Sequence, residues 1–187
     1  MSKMKTALTS PNKPPVNIDK AFDVLLAYEG FRPEAYKDTK GKWTIGVGHL
    51  IGDGSDAAYK KSPFYNKTLS RDAAIKLAKS ELSDRLPKVV SLIGKGFFDM
   101  QPNTQRQLIS SFYRGGITGS PKTLEHIRKG EFEKASKEFL DNDEYRAAVK
   151  SGSGVAPRME NLSKALLSEA NKKTPTFEEA VEQRMLQ

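Results

Sequence analysis

The chain has 187 residues, 37% of them hydrophobic and 29% charged, which fits one domain or two small lobes with a modest core and a well-solvated surface. It has no cysteine, so no disulfide holds the fold, and its two histidines, His49 and His126, lie far apart without metal-ligand spacing. A net charge of +8, spread along the chain rather than massed in a block, predicts attraction to polyanionic surfaces and argues against a base-reading nucleic-acid binder.

Residues 1–17 are polar, with Lys3, Lys5, Lys13, Pro11, Pro14 and Pro15. They read as a flexible leader without the apolar middle of a signal peptide, and no run in the chain approaches membrane-spanning length. A soluble chain made in the cytosol is therefore expected. Asn17 is a plausible N-cap for a helix whose Ile18, Phe22, Leu25 and Glu29 share one face, with Gly30 as its stop. Glu34–Asp38 and Lys42–Val47 predict a β-hairpin across Thr39-Lys40-Gly41, because Trp43, Ile45 and Val47 alternate with Thr44 and Gly46. Gly46 and Gly48 in this run predict a bend or a close backbone approach.

Residues 50–68 read as a surface connection containing Gly52-Asp53-Gly54-Ser55 and Ser62-Pro63. Ser70 then caps a helix with Ala74, Leu77, Ala78 and Glu81 on one face; Leu82, Leu86, Val89 and Val90 continue it, and Pro87 is expected to kink or end it. After a Gly-rich break, Pro102 opens a helix carrying Leu108, Ile109, Phe112 and Tyr113, stopped by Gly115-Gly116. Ser120-Pro121 starts another, ended by Gly130, and shorter helices are predicted at 131–140, 143–150, 156–170 and 177–186. The pattern predicts an α+β fold, mostly α. A leader (1–17) precedes an N-terminal lobe with a β-hairpin (18–69), a linking helix (70–94) and a helical lobe (95–187). The cleft between the lobes suits an extended substrate.

The chemistry concentrates between Glu29 and Thr44. Glu29 ends its helix on the apolar stripe, where burial and the negative end of the helix dipole both disfavour its charged form, as a general acid requires. Asp38 follows nine residues later beside a turn, and Thr44 six residues beyond it in the strand. Taken alone, each is an ordinary surface, turn or strand residue. Together, two carboxylates and a hydroxyl around one hairpin are the parts needed to cut a glycosidic bond with water.

The run from Glu29-Gly30 through Tyr36-Lys37-Asp38 to Gly41-Lys42-Trp43-Thr44-Ile45-Gly46-Val47-Gly48-His49 resembles the signature of the phage T4-type lysozymes, the endolysin family, with every position filled. Beyond it, Thr68–Leu82 is similar to the family's inter-lobe helix, and Gln107–Gly116, Glu131–Ala135 and Val155–Leu166 to its helical lobe. The resemblance implies a lysozyme-like two-lobed fold. It also implies hydrolysis of the β-1,4 bond between N-acetylmuramic acid and N-acetylglucosamine in peptidoglycan, without a cofactor. Glu29 is then the general acid, while Asp38 and Thr44 hold and activate the water, a geometry that goes with inversion. Leu50, Phe112 and Thr123 match substrate-contacting positions. Arg158 matches an arginine that pairs with the catalytic glutamate, and its charge opposes burial and the dipole at Glu29. His49 is assigned to the scaffold, in a salt bridge with Glu81. The chain departs from the pattern at Tyr113-Arg114 and at Glu138, where the family carries a substrate-contacting asparagine; the leader and the tail after Lys172 have no counterpart.

Two competing functions are weighed against the hydrolase. An inert peptidoglycan-binding protein on this fold has no chemical need for Glu29, Asp38 and Thr44 together. A lytic transglycosylase also uses a glutamic acid but makes an anhydro-sugar without water, and Asp38 and Thr44 argue for the water-using route. The expected partner is the glycan strand of peptidoglycan, attacked in the periplasm by a monomer. It reaches the strand through a holin, or by injection with a virion or a secretion device.

Overall fold

In the computed structural model, which describes residues 16–38 and 40–172, Asn17 opens the first helix. Its Oδ1 accepts from the Lys20 N–H at 2.9 Å, and α1 runs from Ile18 to Glu29. Phe22 and Leu25 are buried on its inner face, and Val16 and Ile18 pack against the same core. At the far end the Gly30 N–H closes the helix on Leu26 O, with Gly30 at φ +67°, a conformation that favours glycine.

The chain then forms an antiparallel sheet in the order β1 (Arg32–Lys37), β2 (Trp43–Gly46), β3 (His49–Leu50). Tyr36 pairs with Thr44 and Lys37 with Trp43, while Thr44 and Ile45 pair onward with Leu50 and His49. The third strand is a correction to the two-stranded hairpin expected from sequence. At two residues it is too short to show a period, and only the turn at Val47-Gly48 folds it back. Gly46 allows the close approach predicted for it: a Cβ there would lie 3.1 Å from Ala74 Cβ and 3.2 Å from Leu69 Cδ2.

The expected connection 50–68 also contains a helix, α2 (Asp56–Lys61), capped by Ser55 Oγ. No residue of α2 is fully buried, so it leaves no apolar stripe in the sequence. Side-chain contacts to β2 hold it instead. The Tyr59 ring stacks on Trp43 at 4.1 Å, and Trp43 Nε1 donates to Asp56 Oδ1 at 2.5 Å.

Ser70 caps α3 (Arg71–Ile93), which packs against β2, α1, α4 and α5. Pro87 does not end this helix. The proline ring is exposed while Leu86, Val89 and Ile93 are buried, so packing carries α3 past a residue that offers no N–H to Ser83 O. The segment read as a Gly-rich break is a 3₁₀ turn, Lys95–Asp99, that buries Phe97 completely.

Five helices follow: α4 (Pro102–Arg114), α5 (Pro121–Arg128), α6 (Phe132–Leu140), α7 (Asp143–Ser151) and α8 (Val155–Ala170). Leu82, Val89, Leu108, Phe139, Leu162 and Leu166 join α1's Phe22 and Leu25 in one core. The fold is α+β and mostly helical, with eight α-helices and one small sheet among the described residues. The predicted helix 177–186 and most of the leader lie outside the described residues. No described helix is long and apolar enough to cross a membrane.

Replacing Pro87 by Ala supplies the missing N–H inside α3. Urea unfolding of Pro87→Ala is expected to show a gain of about 2 kcal/mol, the relief of an interior proline less the lost rigidity of the unfolded chain.

Candidate active site

Glu29 is the last residue of α1, and its carboxyl is 24% exposed. Arg158, in the second turn of α8, donates from Nη1 to Glu29 Oε1 at 2.6 Å. The same guanidinium donates from Nη2 to the Tyr28 carbonyl and lies over the Tyr28 ring, 4.9 Å from its centroid. Three residues on, Asn161 donates to Tyr28 Oη at 2.6 Å. One face of α8 thus grips the C-terminal end of α1, where the helix's last carbonyls lack internal donors.

Glu29 opens onto a groove of about 770 Å³, a size that fits a small-ligand or oligosaccharide site. Tyr36 and Asp38 line it from the sheet side, and Arg114, Ser120, Asn142 and Glu144 from the helices. Asp38 is fixed by its own hairpin. Its Oδ1 accepts from the N–H groups of Lys40 (2.8 Å) and Lys42 (2.9 Å), while its N–H donates to Lys42 O. Asp38 Oδ2 makes no hydrogen bond among the described residues. Thr44, 5% exposed, does not line the groove; its Oγ1 donates at 3.2 Å to Lys42 O, the carbonyl that Asp38 also uses. Asp38 and Thr44 are therefore held by one backbone unit.

Tyr36 was not singled out by sequence reasoning, although its Tyr-x-Asp setting was a signal. Burial, together with the charges of Glu29 and Asp38, raises its phenol above the ordinary value, against the lowering effect of the Arg32 guanidinium 4.3 Å over its ring. Arg114 and Glu144 are the other additions, joined across the groove at 2.7 Å. Gly116 leaves room for them: a Cβ there would stand 2.8 Å from Arg114 Nη2.

Three expected substrate contacts do not line the groove. Phe112 packs against the core, as burial of an aromatic ring favours. Leu50, 39% exposed, sits on β3 over Gly54. Thr123 is 1% exposed at the start of α5, its Oγ1 without a hydrogen-bond partner among the described residues, beside a smaller hollow of about 180 Å³ that shares Gly119, Ser120 and Asn142 with the groove. His49 and Glu81 do meet, Nδ1 to Oε1 at 2.6 Å, with Phe64 edge-on to the imidazole.

The family model for phage lysozymes matches residues 26–161, a span that holds every one of these site residues. No curated protein matches the chain.

Burial pushes the Glu81 carboxyl up, but the His49 hydrogen bond and charge, the Tyr113 hydroxyl and Arg85 outweigh it and leave the group below its ordinary value of 4.5. Its ionised form therefore adds stability above that value, and the contribution is lost as pH falls through the lowered one. In urea unfolding at pH 7, Glu81→Gln is expected to be less stable than wild type by about 1–3 kcal/mol, the cost of replacing a charged acceptor that serves two partly buried donors with a neutral one that has a single acceptor oxygen. The gap should close as the pH is taken below 4.5.

Proposed function

Because the chain belongs to the phage lysozyme family, whose activity is peptidoglycan lysis, we propose that it hydrolyses the β-1,4 bond between N-acetylmuramic acid and N-acetylglucosamine with inversion. The observation that carries this reading is the pair of carboxylates on one groove, Glu29 and Asp38, held in two different ways.

Glu29 Oε1 faces the Arg158 N–H, so the transferable proton belongs on Oε2. From there it passes to the glycosidic oxygen as the bond to the anomeric carbon breaks. A water on the other face of the sugar attacks that carbon and gives its proton to Asp38, whose Oδ2 is available as acceptor. Thr44, buried behind the groove, has its one hydroxyl hydrogen on Lys42 O and acts through that shared backbone, bracing the Asp38 carboxylate that receives the water's proton. Glu29 ends ionised and Asp38 protonated, and exchange with solvent restores both.

The phenol of Tyr36, on the same groove as the two acids, stays protonated and supplies a donor for a sugar oxygen. The basic balance of the chain supports attraction to the anionic polymers of a bacterial envelope. Such an enzyme acts in host-cell lysis or wall penetration, with a holin or an injection device as its route to the wall.

Wild type, Glu29→Gln and Asp38→Asn incubated with purified peptidoglycan provide the test, with products read by mass spectrometry. Wild type is expected to release reducing-end muropeptides, and each variant to fall by roughly 10²–10⁴-fold, as removal of a general acid or base does. Anhydro products would assign a transglycosylase instead. Undiminished release by Glu29→Gln would remove it as the acid.

A further inference from the structure

Behind Glu29, one phenol ties together elements that the mechanism above does not use. Tyr113 lies in the last turn of α4, partly buried. Its single O–H donates to Glu81 Oε2 on α3 at 2.9 Å and is shared, as a longer second arm at 3.3 Å, with the carbonyl of Val47, between β2 and β3. Glu81 Oε1 is taken by His49 at the start of β3. A single carboxylate on α3 thus holds both α4 and the β2–β3 turn. Burial, and the Glu81 charge and hydrogen bond, push the Tyr113 hydroxyl well above the ordinary tyrosine value, so it remains a donor at neutral pH.

The turn held in this way is a wall of the acid's site. Gly48 follows Val47 at φ +74°, and a Cβ built on it would stand 3.8 Å from Glu29 Oε2, 3.9 Å from Glu29 Cγ and 3.7 Å from Tyr113 Cε1. Gly48, the Tyr113 ring and the Glu29 side chain therefore converge on one small volume. Arg158 fixes Oε1 of the acid. Oε2, the oxygen that must deliver the proton, faces the turn whose carbonyl Tyr113 engages. The Tyr113 ring is itself covered by the Arg85 guanidinium at 4.3 Å, which limits its movement.

We propose that Tyr113 is a positioning residue for Glu29: through its hydroxyl it holds the Val47-Gly48 turn against the carboxyl and so sets the aim of Oε2 into the groove. The assignment rests on the reading of Glu29 as the general acid. Its rationale is geometric, because a proton donor displaced by a fraction of an ångström loses much of its rate while substrate binding elsewhere in the groove is untouched. A hydroxyl that merely stitched α4 to α3 would add stability and nothing more.

The test uses the full-length protein. Tyr113→Phe keeps the ring and its Arg85 contact and deletes only the hydroxyl. Turnover of peptidoglycan is expected to lose about 10-fold in kcat with KM within about twofold of wild type, the signature of a contact used in the transition state. At one pH, the carbon-13 resonance of the Glu29 carboxyl is expected to move in Tyr113→Phe. It should stay in place in Arg85→Lys, which keeps the positive charge beside the ring and leaves the hydroxyl and its Glu81 partner intact. A Tyr113→Phe protein that melts lower but keeps wild-type kcat and an unmoved Glu29 resonance would overturn the proposal. So would equal displacement of that resonance in Arg85→Lys. If wild type releases no product at all, the hydrolase reading falls, and the Glu29 resonance alone decides the positioning: moved, it stands; unmoved, it fails.

Discussion

Residues 29 and 158 are joined by a guanidinium that does two things at once. Arg158 donates to Glu29 Oε1 and to the Tyr28 carbonyl, so it binds the side chain of the acid and the backbone of the helix that carries it. Arginine suits this role because its planar fork offers donors in fixed directions. The end of α1 would otherwise leave carbonyls without partners and an anion beside the negative end of the helix dipole. With Asn161 on Tyr28 Oη, α8 locks the terminus of α1 at the groove edge. The placement of the acid therefore depends on the packing of α8 against α4 and α6, and of α1 against α3 and α4.

The two carboxylates of the groove are supported in opposite ways. Glu29 is held across the fold by a charge from a distant helix, whereas Asp38 is held locally by N–H groups two and four residues away. A local Asx turn forms wherever the hairpin forms, so Asp38 and Thr44 share the Lys42 backbone as one unit. The acid instead depends on the helices meeting the sheet. This division suits the proposed reaction, in which Glu29 gives up a proton and Asp38 takes one from the water. The Glu81 carboxylate adds a third kind of support: it accepts from β3 and from α4 and fixes the sheet to the helices behind the site.

Much of the fold was legible because local rules dominated it. Asn17 and Ser70 cap helices at the positions their side chains suggested, and the stripe of Phe22 and Leu25 faces the core. Where sequence reading went astray, tertiary packing had replaced a local signal. Pro87 stays inside α3 because buried neighbours on either side compensate for one absent hydrogen bond. α2 lacks an apolar stripe and is held by the Tyr59 ring stacked on Trp43 and by Asp56, which accepts from Trp43 Nε1. Phe97 is drawn into the core from a stretch that reads as glycine-rich punctuation.

By itself the sequence determined the helical faces, the hairpin, and the order Glu29, Asp38, Thr44 along it, because periodicity, capping and turn chemistry act over a few residues. Only the tertiary structure decided which side chains converge. It brought together Arg158 with Glu29 and His49 with Glu81, pairs that the family resemblance implied and no local pattern could place. It joined Arg114 to Glu144, left Phe112 and Thr123 outside the lining of the groove, and placed Tyr113 beside the Gly48 turn that Glu29 faces. Those contacts depend on how helices far apart in the chain pack over one core, and no local pattern of residues encodes that geometry.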